Sequence, residues 1–168
     1  MTLLHFGGDV HQPLHCASYY STAFPEGDRG GNDFLINYSP NKLHSLADGM
    51  FGIGTIDRSI RHDTPEQAKE YYSKISDLCS LIKNEFPEDE KSAILEAKIW
   101  AEESADIARK NFYKIQYGDT PTPEYIATGQ TISKQQVALA GYRLGNLLKK
   151  LLKTPEAIDA SKLEGNYQ

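Results

Sequence analysis

The chain has 168 residues with 39% hydrophobic and 24% charged content, enough for one hydrophobic core and too apolar for a disordered segment. Its formal charge of -5 argues against the broad basic surface that holds duplex DNA through its phosphates, although two or three bound divalent cations would reverse that locally. No apolar run is long enough to span a bilayer, nothing near the start reads as a signal peptide, and Cys16 and Cys79 do not build a disulfide framework.

The first element is the most loaded with chemistry. "HFGGDVHQPLH", residues 5–15, carries three of the five histidines together with an aspartate and a proline. If residues 2–10 form a helix, His5 and Asp9 stand four apart on one face and can reach one cation. Pro13 turns the chain, so His15 leaves that axis and is free to face a neighbouring point. His11 is read as a non-ligand, and Cys16 as a small packed side chain. The turn "GDRGGND" follows, and then "DFLINY", residues 33–38, alternates as a short strand and predicts a small β ribbon. In "LHSLAD" the spacing repeats, with His44 and Asp48 again four apart. Two such pairs plus His15 make five nitrogen and oxygen donors, the set that suits zinc. His62, in "RSIRHDT", reads as a solvated residue.

The remainder is helical by pattern. "TPEQAKEYYSKISDLCSLIKNEF" has Thr64 as N-cap, Pro65 at the first helical position and Gln67 completing a capping box, with a stripe of Ala68, Tyr71, Ile75, Leu78 and Ile82. A second helix carries Ile94, Ala97, Trp100, Ser104, Ala108, Phe112 and Ile115 on one face until Gly118 stops it. "DTPTPEYIATGQ" reads as a connector to a last helix capped by Ser133 and Gln136, whose stripe is Val137, Ala140, Leu144, Leu147 and Leu151. Gly141 and Gly145 would let another helix approach closely. The expectation is a mostly α fold: a single helical metal-binding domain over residues 1–155 and a tail over 156–168.

"HFGGDVHQPLH", "DRGGND", "LHSLAD", "WAEES" and "QQVALAGYRLGNLL" occur here in the order that resembles the zinc-dependent class I nucleases, the single-strand-specific nuclease and 3′-nucleotidase family. The resemblance extends over essentially the whole chain and implies a helical bundle related to phospholipase C. It implies three zinc ions, with His5 and Asp9 on the first, Asp9 also reaching the third as a metal-bridging catalytic residue, and His15, His44 and Asp48 on the second. Gly30, Gly31 and Asn32 match a segment lining a nucleobase pocket. The implied activity is hydrolysis of single-stranded RNA, DNA and 3′-nucleotides to 5′-phosphorylated products. Relatives are secreted or lumenal, and Asn37-Tyr38-Ser39 is a sequon followed by Pro40.

Family members carry further ligands ahead of the block that begins at His5, where this chain has four residues. The chain therefore resembles the C-terminal portion of a family member, with the second zinc site complete and the first half-built. Impaired activity is the expectation for the chain as given. The alternative is a non-catalytic helical piece that binds one zinc, or that associates with a partner through the surface the missing segment would cover.

Overall fold

The computed structural model describes residues 2–53 and 64–152; His62 and the tail at 156–168 lie outside the described residues. Five α-helices dominate the described residues: α1 (Thr2–Asp9), α2 (Leu43–Asp48), α3 (Pro65–Glu85), α4 (Ala97–Lys110) and α5 (Pro123–Leu152). Single 3-10 turns lie between them, among them Pro13–Cys16 directly after α1 and Met50–Gly52 directly after α2. No helix among the described residues is long and apolar enough to cross a membrane.

The cap read from the sequence explains where α3 begins, whereas α5 begins at a different one. Thr64 and Gln67 form the reciprocal capping box of α3, with Pro65 at its first position. Helix α5 begins eleven residues earlier than its pattern suggests, because Pro123 opens it and the Thr122 hydroxyl accepts a hydrogen bond from the Tyr125 N–H at 3.1 Å. Ser133 and Gln136 are consequently buried helix-interior residues and not caps. Helix α4 keeps the expected face of Trp100, Ser104 and Ala108 but stops at Lys110, and Phe112 continues the buried line from a 3-10 turn.

The ribbon expected at residues 33–38 reduces to one antiparallel bridge, Leu35 to Lys42. Its alternation survives, since Phe34 and Ile36 are buried while Leu35 is exposed. The return strand has no length to pair with: Pro40 lacks an N–H, and Leu43 already begins α2. Leu35 is held instead from its other side, where its carbonyl accepts the Gly118 N–H at 2.8 Å.

The core is built from Leu14, Phe34, Ile36, Leu43, Leu46, Ala47, Phe51, Ala108 and Phe112. It therefore sits directly beneath the turn that carries His15 and the helix that carries His44 and Asp48. Phe51 is its anchor. Met50 and Phe51 both adopt left-handed backbone (φ 50° and 54°), a conformation costly for side chains of this size, and burial of the Phe51 ring offsets that cost.

The close approach of α5 was placed wrongly by the sequence. Among the described residues nothing lies within 4 Å of a Cβ built at Gly141 or Gly145, whereas at Gly129 a Cβ would meet the Phe51 ring at 2.4 Å. The buried face of α5 accordingly runs through Gly129, Ser133, Gln136 and Arg143, and Val137 from the expected stripe is exposed. Hydrophobic periodicity misses this face because three of its buried side chains, Ser133, Gln136 and Arg143, are polar, and Arg143 is held by Lys91 O, His11 and Glu103. Gly129→Ala should lower the free energy of unfolding by about 1–3 kcal/mol in urea denaturation, while Gly141→Ala should not lower it.

Candidate metal centre

Three short elements bring the donors together. Helix α1 presents His5 and Asp9 from one face, with His5 Nε2 at 3.2 Å from Asp9 Oδ2. The turn at Pro13–Cys16 presents His15, and α2 presents His44 and Asp48, one turn apart. The His15 and His44 rings stack with centroids 5.1 Å apart. Asp48 faces both: Oδ1 lies 3.5 Å from His15 Nε2 and Oδ2 lies 3.4 Å from His44 Nε2. Donor atoms of His15, His44 and Asp48 all fall within 4.8 Å of one another, the one such group of three or more among the described residues. Two imidazoles and a carboxylate at that spacing form a donor set fit for zinc.

Asp9 links this trio to its neighbour. Its Oδ1 lies 3.8 Å from His15 Nδ1 while Oδ2 faces His5, so all five predicted donors form one continuous line of contacts. The imidazoles differ in shelter. His44 is 18% exposed and His15 28%, whereas His5 is 70% exposed. His5 is the open end of the line, while the two carboxylates are similarly exposed, 40% for Asp9 and 49% for Asp48.

Each imidazole of the trio is oriented by a backbone carbonyl. His44 Nδ1 is 2.7 Å from Gly30 O, and His15 Nδ1 is 3.1 Å from Asp9 O, which leaves each Nε2 lone pair for a cation. Gly30 and Gly31, read from the sequence as part of a base pocket, are thus also the brace of His44. Arg29, Gly30 and Gly31 have φ of 57°, 65° and 83°, a run of left-handed backbone that turns carbonyls inward. The Gly31 carbonyl accepts the His44 backbone N–H at 3.1 Å. Asn32 hydrogen-bonds through its amide nitrogen to Arg29 O at 3.0 Å.

The brace is itself anchored by Asp28, which is fully buried. Its Oδ1 accepts from the Tyr19 N–H at 2.8 Å and the Tyr113 hydroxyl at 3.0 Å. Burial, reinforced by this carboxylate, pushes the Tyr113 phenol far up, so it stays a neutral donor. Sequence reading passed over Asp28, since an aspartate in a "GDRGG" turn looks solvated until the fold closes around it.

His11 stands apart from the line of donors. It is buried, with Nδ1 2.9 Å from Gly7 O and Nε2 3.2 Å from the Arg143 guanidinium. Burial holds its pKa below the ordinary value, consistent with a neutral ring that donates through Nδ1 and accepts through Nε2. Cys16 is partly buried, hydrogen-bonds to Val10 O at 3.4 Å, and has its thiol pKa raised by burial, which disfavours the thiolate a metal would need.

A cleft of about 800 Å³ opens beside His15 and His44, lined also by Asp9, Arg29 and Gly30 and by the apolar Phe6, Val10, Leu147 and Trp100. Cation donors and apolar side chains therefore share one cleft.

The S1/P1 Nuclease family profile matches residues 1–153, and the chain belongs to this family. It is 31% identical over 156 residues to Endonuclease 5 of Arabidopsis thaliana, a match covering 89% of this chain and 49% of the relative. It is 30% identical to Endonuclease 2 of the same plant (88% and 49% covered) and 26% identical to Endonuclease 3 (90% and 50%). The chain spans about half the length of the curated relatives it matches. No solved structure matches the chain.

Two outcomes follow from this geometry. In the metal-free chain the Asp48 hydrogen bond raises the His15 pKa, and the His15 hydrogen bond lowers that of Asp48. The ion pair therefore persists between the lowered carboxylate value and the raised imidazole value. A cation must displace the His15 proton, so zinc affinity should be full above the raised value and weaken as pH falls through it, starting above 6.5; zinc titrations from pH 8 to 5.5 measure the onset. Separately, Gly30→Ala would put a Cβ 2.4 Å from Leu14 O on a left-handed residue, and should cost about 1–3 kcal/mol in urea denaturation.

Proposed function

We propose that this chain forms the zinc-binding face of a phosphodiesterase that hydrolyses single-stranded RNA or DNA and 3′-nucleotides to 5′-phosphorylated products. The convergence of His15, His44 and Asp48, continued through Asp9 to His5, carries the reading. Family membership supports a nucleic-acid substrate. Zinc, when bound, supplies Lewis-acid polarisation of the phosphoryl oxygens and acidification of water.

The chain's own residues divide the rest of the work. His15 and His44 offer neutral nitrogens, held in place by carbonyls, and Asp48 brings the negative charge that a divalent cation requires. Asp9 is shared between the trio and His5, so it ties the two parts of the donor line in fixed register. Arg29, exposed at the cleft edge with Nη1 3.5 Å from Asp33 Oδ1, has further guanidinium N–H groups for a phosphate oxygen. With its amide nitrogen engaged by Arg29 O, Asn32 keeps its side-chain carbonyl for a base N–H. Duplex is disfavoured because paired bases cannot turn into a pocket at Gly30 to Asn32.

A secreted or lumenal location accompanies this proposal. The Asn37 amide nitrogen, the atom a glycan would occupy, donates to the Thr120 hydroxyl at 2.8 Å, so the sequon is already engaged.

The exposure of His5 at the open end of the donor line, beside a held His15–His44–Asp48 trio, favours a second reading: a non-catalytic piece that holds one zinc and meets a partner through the apolar residues of its cleft. The deciding measurements pair metal content with hydrolysis. The purified chain should take up close to one zinc; His44→Ala should abolish uptake and His62→Ala leave it unchanged. No zinc uptake at neutral pH, or equal losses in both variants, would remove the ligand assignment. Single-stranded RNA and a 3′-nucleotide should be cut weakly or not at all by the 168-residue chain and robustly by a version extended upstream to the relatives' length. Zinc-dependent cleavage by the short chain, lost in His5→Ala and Asp9→Ala, would instead establish activity without the extension. Failure of both versions to cut would reject the nuclease proposal.

A further inference from the structure

Asp48 has a third partner besides the two histidines. Gln12 Nε2 donates to Asp48 Oδ1 at 2.9 Å, across 36 residues of sequence. The same side chain is the N-cap of the 3-10 turn that carries His15: its Oε1 accepts the Leu14 N–H at 2.6 Å. That second bond decides the orientation of the amide. Leu14 N–H can only donate, so the oxygen must face it, and the NH₂ is left for the carboxylate. One side chain thereby joins the turn bearing His15 to the helix bearing His44 and Asp48.

We infer that Gln12 is a positioning residue for the metal centre, holding the Asp48 carboxylate in the plane from which it meets a cation together with His15 and His44. The inference rests on the zinc-binding reading above. A half-exposed carboxylate rotates readily about its last torsion, which has broad, roughly two-fold preferences. The Gln12 amide removes that freedom by occupying Oδ1, so Oδ2 keeps its place against His44 Nε2. Partners of this kind, behind a ligating carboxylate, commonly change metal affinity by 10–100-fold when removed.

The position of Gln12 is fixed from behind. Its backbone N–H bonds to Asp9 O at 3.0 Å, and Pro13 follows it. The preceding residues are pinned to α4 and α5: Ser104 Oγ donates to Val10 O at 2.6 Å, and His11 meets Arg143. On its other side Gln12 borders a cavity of about 320 Å³ shared with Asp48, Met50 and Gln136, which has room for solvent if the side chain is shortened.

Capping and carboxylate bracing can be separated experimentally. Gln12→Ser retains an oxygen suited to cap the turn but cannot reach Asp48, whereas Gln12→Ala loses both contacts. Zinc dissociation constants would be measured by competition with a chromogenic chelator, alongside thermal melts of the metal-free proteins. The expected result is a 10–100-fold weakening of zinc binding in both variants, with the metal-free melting temperature lowered in Gln12→Ala and retained in Gln12→Ser. Zinc binding by Gln12→Ser within twofold of the native chain would overturn the inference while leaving the ligand assignment intact. Weakening in Gln12→Ser accompanied by a matching fall in metal-free stability would also overturn it, since the effect would then be structural. If the native chain and His44→Ala bind zinc equally, the metal reading itself fails and takes this inference with it.

Discussion

A buried arginine organises the molecule. Arg143 on α5 has no exposed surface, and its guanidinium is approached from four directions: Nε donates to Lys91 O at 3.1 Å, Nη1 meets His11 Nε2 at 3.2 Å, Nη2 pairs with Glu103 at 2.7 Å, and the Trp100 ring lies 5.6 Å away. A charge removed from water is destabilising unless its partners replace the lost hydration, and removing one such partner costs several kcal/mol in comparable buried pairs. The partners here come from the segment after α1, from α4 and from the turn before it. Satisfying one cation therefore fixes all of them relative to α5.

That constraint reaches the candidate metal centre through His11. The ring must remain neutral to accept from Arg143, and burial keeps it so. Once His11 is locked, the residues on either side of it are placed: Asp9 two before, Gln12 one after, His15 four after. Ser104 supplies a second tie to the same segment through Val10 O. Buried His11 thus helps to place Asp9, Gln12 and His15 of the candidate centre.

Beneath the site the division of roles is different. The apolar core under Leu14 and Leu43, closed by Phe51 against Gly129, sets the height and direction of α2. The glycine turn then acts at short range, with Gly30 O on the His44 ring and Asp28 buried behind it. Carbonyl orientation and packing achieve together what neither does alone, because an imidazole needs both a fixed backbone and a hydrogen bond at its far nitrogen to present a lone pair reliably. The donors remain partly exposed along the line from His5 to Asp48.

Much of this was legible in one dimension. The spacing of four in His5–Asp9 and His44–Asp48 put each pair on one helical face, Pro13 turned His15 away, and the Thr64 to Gln67 capping box located α3, because all of these depend on residues within a turn of each other. Contacts between distant segments were not legible. Gln12 reaches Asp48 across 36 residues, Arg143 reaches His11 across 132, and the buried face of α5 is polar where hydrophobic periodicity looked for an apolar stripe. The start of α5 and the collapse of the ribbon to one bridge were likewise decided by which neighbour was available. Sequence by itself determined the donor types and their local geometry, since those follow from helical repeat and proline stereochemistry. Only the tertiary structure decided which donors share one point and what holds them there, since a buried polar group is tolerated solely where the folded chain supplies its partner.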